Sequence, residues 1–395
     1  MTTPSELERP SVGAYVHVPF CERICPYCDF PVVAARSLTR AEEDRYVAAL
    51  LGELAGRAVD FAGRALDTIY FGGGTPSLLR PDSLARVIEA LRGAFPGEPR
   101  EVTLEANPST TERERLPAFR AAGVNRLSLG IQSFDDDTLR RLGRAHRARE
   151  CHEAIGAARD AGFENLSLDL IFGAPGQTEA ALRRDLTAAL ARRPEHVSAY
   201  ALTLEPGTPF ARAVAADKLE VPEDDAAAEM MLALGERLEA AGLARYEISS
   251  WAQPGRESLH NRRYWQRRPV LGLGVGAHST EPAREGAPHG ARSANERALG
   301  QYLERIEAGH SAPPEREALS EATARAEAVF LALRMREGLG AAAFAAEFGA
   351  APRAYFSAAI EGARAEGLVA ENEAGDLALT ERGWLFADDV AARFV

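Results

Sequence analysis

From residue 12 to about 204 the chain alternates short apolar runs, rich in β-branched and aromatic residues, with longer stretches of helical period. Six runs carry the strand pattern: Val12 to Pro19, Leu66 to Phe71, Glu101 to Ala106, Arg126 to Gln132, Leu166 to Phe172 and His196 to Leu204. Between them stand stretches of helix length at Thr39 to Asp60, Pro81 to Phe95, Thr111 to Ala122, Cys151 to Ala161 and Thr178 to Ala191, several opened by a threonine or proline start signal. This alternation predicts βα units around a parallel sheet, with functional residues at the carboxyl ends of the strands. Periodicity alone leaves both an open doubly wound sheet and a partial (β/α)6 barrel in play.

Beyond residue 205 the pattern loosens. It predicts a helix over Asp225 to Ala241, a strand over Tyr246 to Trp251, a polar loop through His260 to Trp265 and a glycine-rich stretch from Leu271 to His278. From about Pro313, helical Thr323 to Arg336, Ala341 to Phe348 and Arg353 to Glu366 precede two short apolar runs around a Gly/Asp/Asn turn. Helices followed by such a hairpin resemble a winged-helix module; as the segment is not strongly basic, the wing reads as a packing or partner surface rather than a DNA-binding one. The expected divisions are a flexible N-terminus over 1–11, a core over 12–240, an extension over 241–312 and a C-terminal domain over 313–395.

Charge and composition narrow the chemistry. Lys+Arg 46 against Asp+Glu 58 gives a net charge of −12, so no global basic field attracts a phosphate backbone, and nucleic acid is not an expected partner. Lys218 is the only lysine, in a solvated Asp-Lys-Leu-Glu setting. A pyridoxal Schiff base, a Walker-type phosphate lysine or a catalytic lysine base would each have to use it, and those classes drop out. The opening residues have neither a basic nor an apolar leader region and no later apolar run is long enough to span a bilayer, which predicts a cytoplasmic protein.

Three of the four cysteines, Cys21, Cys25 and Cys28, fall within eight residues just after the first expected strand; Cys151 stands apart and reads as a buried inert thiol. An odd cluster in a reducing compartment argues against disulfides. Thiolates favour zinc or iron–sulfur clusters. Zinc would need a fourth ligand, for which His17 is the obvious candidate, whereas a 4Fe-4S cluster held by three cysteines keeps one iron free for an exchangeable ligand.

The spacing Cys21-x3-Cys25-x2-Cys28 after the first strand of a βα series resembles the radical S-adenosylmethionine (SAM) family. That resemblance implies a partial (β/α)6 barrel, a 4Fe-4S cluster on these cysteines and SAM chelated at the free iron and cleaved to a deoxyadenosyl radical. Other strand ends match: Phe71-Gly72-Gly73-Gly74-Thr75-Pro76, Glu105, Leu-Gly-Ile-Gln132 and Leu-Asp169-Leu. By resemblance, Tyr15, Gly72, Gly73, Gly74, Thr75, Glu105, Gln132, Arg144, Asp169 and Thr203 contact SAM, with Arg144 a carboxylate partner. His146 lines the same mouth or lies on the surface, and Leu271 to His278 forms a backbone wall near the adenine, with His278 a further haem-ligand candidate.

The likeness runs nearly the whole chain and is to the oxygen-independent coproporphyrinogen III oxidase-like subgroup, including its HemN-type C-terminal domain. One branch of that subgroup decarboxylates coproporphyrinogen III; it carries a longer N-terminal segment and a further cysteine two residues after the third. Here Phe30 stands at that position, and about eleven residues precede the first strand. The other branch, haem chaperones, is marked by H-N-x-x-Y-W, present as His260-Asn261-Arg262-Arg263-Tyr264-Trp265. The resemblance therefore implies haem held by His260, Tyr264 and Trp265, an acceptor protein whose identity the residues do not give, and peripheral contact with membrane-bound acceptors. The motif's residue types agree, since imidazole ligates haem iron, arginines pair with propionates, and tyrosine and tryptophan offer flat apolar surface. Without that context, a polar loop anchored by two aromatics would serve as well.

Overall fold

The computed structural model describes residues 10–35 and 37–395. Most of the N-terminus expected to be flexible, residues 1–9, lies outside the described residues. Six parallel strands, β1 (Ser11–Val18), β2 (Ala65–Gly73), β3 (Glu101–Ala106), β4 (Arg126–Gln132), β5 (Leu166–Phe172) and β6 (His196–Ala201), lie side by side in chain order. Right-handed crossovers in a sheet whose order never reverses put every crossover helix on one face. A doubly wound sheet needs a reversal. The strand order therefore selects the partial barrel, with helices packed in sequence along its outside.

Period-two alternation separates the two faces. Along β4, Leu127, Leu129 and Ile131 enter the apolar core beneath the helices, while Arg126, Ser128, Gly130 and Gln132 face a cavity on the inner side. β5 repeats the phase, with Leu168 and Leu170 outward and Asp169 and Ile171 inward. The helix-covered face is apolar and the barrel lumen is polar.

Further strands widen the sheet on both sides. β7 (Ala244–Glu247) and β8 (Ser250–Ala252) form a hairpin whose second strand pairs antiparallel with β6. The single strand expected over Tyr246 to Trp251 is thus two strands with a turn between them. β9 (Val270–Leu273) pairs parallel with β1, and β10 (His278–Glu281), β11 (Ala291–Ala294) and β12 (Glu315–Ala318) follow antiparallel. The full order is β12-β11-β10-β9-β1-β2-β3-β4-β5-β6-β8-β7. β12, Glu-Arg-Glu-Ala, is exposed throughout and β11 carries an arginine, so neither shows an apolar pattern to read.

The polar loop expected at His260 to Trp265 is a helix, Leu259–Trp265. Ser258 caps it, its Oγ accepting the Asn261 N–H at 3.3 Å. Glu101, the first residue of β3, accepts the N–H groups of Leu259 at 2.9 Å and His260 at 3.0 Å. A carboxylate from 158 residues away thus satisfies the helix start. Sealing the amino-terminal end of the barrel, the helix forms the floor of the lumen.

The C-terminal helices Glu321–Leu333, Ala341–Phe348 and Arg353–Ala365 and the hairpin β13 (Val369–Glu371) and β14 (Leu377–Leu379) enclose their own apolar core, as the winged-helix pattern anticipates. Two short helices, Glu381–Leu385 and Ala387–Ala392, complete it. The segment after the first helix covers the edge of β7, with the Ile248 N–H donating to the Arg334 carbonyl at 3.1 Å and the Arg336 N–H to that of Tyr246 at 3.0 Å. Among the described residues no helix is long and apolar enough to cross a membrane.

Candidate functional site at the barrel mouth

The loop after β1 is a closed lobe. Phe20–Cys21 pairs with Val33–Ala34, so the chain leaves and returns at one place, and Cys21, Cys25 and Cys28 sit between. The glycine run at the end of β2 packs directly beneath it. The Gly74 N–H donates to the Val18 carbonyl and the Thr75 N–H to the Phe20 carbonyl, both at 2.8 Å. A Cβ on Gly74 would stand 2.8 Å from the Phe20 oxygen and 2.9 Å from Cys21 Sγ, which is why this position is glycine. Thr75 Oγ1 donates to Cys21 Sγ at 3.8 Å, and Arg144 Nη1 to Cys25 Sγ at 3.4 Å.

These contacts suit a sulfur-held cluster. Burial pushes the Cys21 thiol up to about 11 and raises that of Cys28, so thiolates here need a cationic centre to form. Hydroxyl and guanidinium donors on the sulfurs are the kind of outer partner that tunes such a centre. Among the described residues no three ligating side chains converge on a point as they would around one ion, whereas a cubane presents separate irons to separate thiolates. His17, the candidate fourth zinc ligand, has both nitrogens engaged, Nδ1 with Tyr15 Oη at 3.2 Å and Nε2 with the Pro31 carbonyl at 3.1 Å. Burial lowers its pKa to about 4.

Gly73, Gly74, Thr75, Glu105, Gln132, Arg144, Asp169 and Thr203 share with the three cysteines one cavity of about 470 Å³. Glu105 accepts from Tyr70 Oη at 2.8 Å and from the Gly73 N–H at 3.2 Å. Its burial, with Asp169 adding, pushes the carboxyl up to about 7 against those donors. Asp169 accepts from Ser128 Oγ at 2.9 and 3.0 Å and from Ser167 Oγ at 3.1 Å, while burial raises its pKa. Gln132 ends β4 at φ +65, a left-handed conformation unusual for a non-glycine residue, which turns the chain as its side chain reaches the lumen. Arg144 also donates to the Gly130 carbonyl at 3.1 Å and to Asn107 Oδ1. Tyr15 and Gly72 stand behind the wall, and a Cβ on Gly72 would meet Tyr15 at 3.0 Å and Glu105 at 3.1 Å.

Several expectations move. His146 is buried against the Ile131 carbonyl at 3.0 Å and does not line the cavity. Leu271 to His278 lies behind the cluster loop rather than in the cavity wall, with the Gly274 N–H donating to Glu53 at 2.8 Å. Cys151 is fully buried, as expected, and burial holds its thiol up at about 12.

The structure splits the His260 motif. His260 is 0% exposed, its Nδ1 2.8 Å from Thr68 Oγ1 and its Nε2 3.1 Å from Tyr264 Oη, and burial lowers its pKa to about 3. Its ring packs 5.2 Å from those of Tyr70 and Tyr264. Arg263 pairs with Asp67 at 2.6 Å. Trp265 faces outward, under the Arg334 guanidinium at 4.5 Å, in a second cavity of about 410 Å³ against the C-terminal domain. Asn261 is the motif residue that lines the first cavity.

Sequence reasoning missed Asn107, Tyr70, Ser128 and Arg126, all of which line that cavity. The signal was available: Arg126 and Ser128 stand in period-two phase with Gln132, as Ser167 does with Asp169.

Comparison with known proteins agrees with this geometry. Residues 15–189 match the Radical SAM superfamily and residues 319–386 the HemN C-terminal domain. The chain is 35% identical to the heme chaperone HemW of Bacillus subtilis, over 97% of this chain and 99% of that one. It is 39% identical to heme chaperone HemW of Mycobacterium tuberculosis, over 96% and 93% of the two. Coproporphyrinogen III oxidase (HemN) from Escherichia coli, a radical SAM enzyme, superposes with a TM-score of 0.82 at 25% identity, over 98% of this chain and 90% of that one. The chain belongs to the radical SAM superfamily, within the family of the heme chaperone HemW.

Proposed function

We propose that this chain binds haem and passes it to an acceptor protein, membrane-bound acceptors included, using a barrel that also holds a 4Fe-4S cluster and SAM. The observation that carries the reading is Phe30. It is 58% exposed on the cluster loop, at the position where the decarboxylating branch of the subgroup has a further cysteine. With Ile24 at 42% and Tyr200 at 45% exposure it gives the cavity mouth an apolar rim suited to a flat macrocycle. Full-length likeness to heme chaperones supports the same assignment.

In this reading Cys21, Cys25 and Cys28 ligate the cluster, whose open iron supplies a coordination position and an electron when SAM is bound. Arg144 would offer its guanidinium to the SAM carboxylate and Glu105 its carboxylate to the ammonium, and Gln132 at the end of β4 and Asp169 midway along the adjacent β5 would take the ribose hydroxyls. Tyr15 and Gly72 back that wall, and Thr203 sits at its exposed rim. His260, Tyr264 and Trp265 are the proposed haem residues; ligation by His260 requires its imidazole to give up Thr68 and Tyr264.

The test is anaerobic reconstitution with iron and sulfide, followed by haem titration and, separately, incubation with coproporphyrinogen III and SAM. We expect a saturable Soret band near one equivalent per chain and no protoporphyrinogen. Protoporphyrinogen formation that depends on SAM and on Cys25 would overturn the chaperone reading in favour of oxidative decarboxylation.

A further inference from the structure

Ser167, His196, Tyr246 and Ser258 form a buried chain of hydrogen bonds that ends on Asp169. Ser167 and Asp169 share one face of β5 in period two, and Ser167 Oγ lies 3.1 Å from Asp169 Oδ1. His196, which opens β6, is the cross-strand partner of Ser167, and its Nδ1 lies 2.9 Å from Ser167 Oγ. Its Nε2 lies 2.8 Å from Tyr246 Oη on β7, and that oxygen lies 3.3 Å from the backbone nitrogen of Ser258, the cap of the floor helix. All four are buried, and none of them lines the cavity that Asp169 faces.

The two ends fix the direction of every bond between them. A backbone N–H only donates, and a carboxylate only accepts. The Ser258 N–H therefore donates to Tyr246 Oη, which leaves the tyrosine proton for His196 Nε2. Burial, with the Arg126 guanidinium adding, lowers the His196 pKa well below its usual value, so the ring is neutral and carries one proton. With Nε2 accepting, that proton sits on Nδ1 and is donated to Ser167 Oγ, whose own proton goes to Asp169. The opposite tautomer would draw the Ser167 proton away from the carboxylate and leave the Tyr246 hydroxyl without its ring acceptor. Depriving buried polar groups of partners is costly, so one tautomer is held.

We propose that His196 is a positioning residue for SAM: locked as the Nδ1–H tautomer by Tyr246, it keeps Ser167 donating to Asp169 and so keeps that carboxylate set to accept the ribose hydroxyls. This rests on the SAM-binding reading above. Ser128 Oγ stands 3.0 and 2.9 Å from the two carboxylate oxygens and does not choose between them. Ser167 bonds Oδ1, and that asymmetry fixes the rotation of the group. The anchor of the chain is a backbone N–H of the floor, so the orientation is set from outside the cavity and is present before any ligand arrives.

The test uses the full chain with its cluster reconstituted, in native form and as Tyr246→Phe, Ser167→Ala and the double variant. Each is titrated with SAM, and each is labelled at its histidine nitrogens for NMR. Tyr246→Phe removes one oxygen that touches neither the cavity nor Asp169, and it frees the His196 tautomer. We expect Tyr246→Phe and Ser167→Ala each to weaken SAM about fivefold, the worth of one neutral hydrogen bond, with iron content unchanged. The double variant should bind SAM no more weakly than Ser167→Ala, because without the serine the tautomer no longer reaches Asp169. In the native spectrum His17 and His146 are Nε2–H, since each donates to a carbonyl, at 3.1 and 3.0 Å. A histidine fixed as Nδ1–H should stand apart from them and lose that form in Tyr246→Phe. Unchanged SAM affinity in a folded Tyr246→Phe chain overturns the proposal and leaves SAM binding standing. Additive losses in the double variant overturn it too, since Tyr246 would then act by another route. If Tyr246→Phe fails to fold, the native spectrum decides, and the absence of any Nδ1–H histidine refutes the proposal. A native chain that binds no SAM refutes the underlying reading itself.

Discussion

Raising the pH from about 6 to about 7 should tighten SAM binding roughly fivefold, and Glu105 is the reason. Burial pushes its carboxyl from 4.5 to about 7, with Tyr70 and the Gly73 N–H pulling down and Asp169 pushing up. If the SAM ammonium needs the ionised form, the apparent affinity scales with the ionised fraction, about one tenth at pH 6 and one half at pH 7. Between pH 6 and pH 7 the α-ammonium of SAM, an amine that ordinarily titrates at about 7.7–8.0, stays largely charged, so most of the change in this window comes from the protein group. Glu105→Gln removes both the charge and the slope; the lost charge-assisted bond should cost about tenfold at pH 7 and leave a pH-independent remainder. The same shift carries a stability signature. Because the folded pKa is raised, the ligand-free native state holds more protons than the unfolded chain between about 4.5 and 7, so this group's contribution falls as pH rises through that window. The full amplitude is about 3 kcal/mol, and Glu105→Gln should flatten it. Calorimetric SAM titrations at several pH values on the reconstituted chain are the assay. A native affinity that does not change between pH 6 and pH 7 refutes the reasoning, since Glu105 would then already be ionised.

Changing Cys21, Cys25 or Cys28 to alanine should abolish the brown chromophore and bring iron to background, while Cys151→Ala, buried in the helical layer, should retain about four irons per chain. Gly74→Ala places a methyl 2.9 Å from Cys21 Sγ and 2.8 Å from the Phe20 carbonyl, so iron content should fall with the circular dichroism spectrum intact. Asp67→Asn strands the 1%-exposed Arg263 and should cost about 3–5 kcal/mol by denaturant unfolding. Arg100 and Arg263 hold the Asp67 carboxyl below its usual range against its own burial, so this stabilisation is present above about pH 3.8 and fades as the pH drops below it.

Local information determined a great deal here. β3, β4 and β5 run over the residues the alternation marks, because each is a short apolar run bounded by turn signals with its neighbours a helix away. The cluster cysteines, the glycine run, Glu105 and Gln132 were also legible, since strand ends in a βα series must point to one mouth, while Asp169, midway along β5, was legible through the family resemblance. Chain order within the sheet is a long-range property, and only it chose the partial barrel over the doubly wound sheet. The His260 segment shows the same limit from the other side. Its polar residues read as a polar loop, yet Glu101 caps it from β3, Thr68 and Asp67 receive His260 and Arg263, and it becomes a helix with His260 and Arg263 buried. Those partners lie 158 to 196 residues away. No window along the chain contains them, so tertiary structure alone decided that this motif forms the floor of the site.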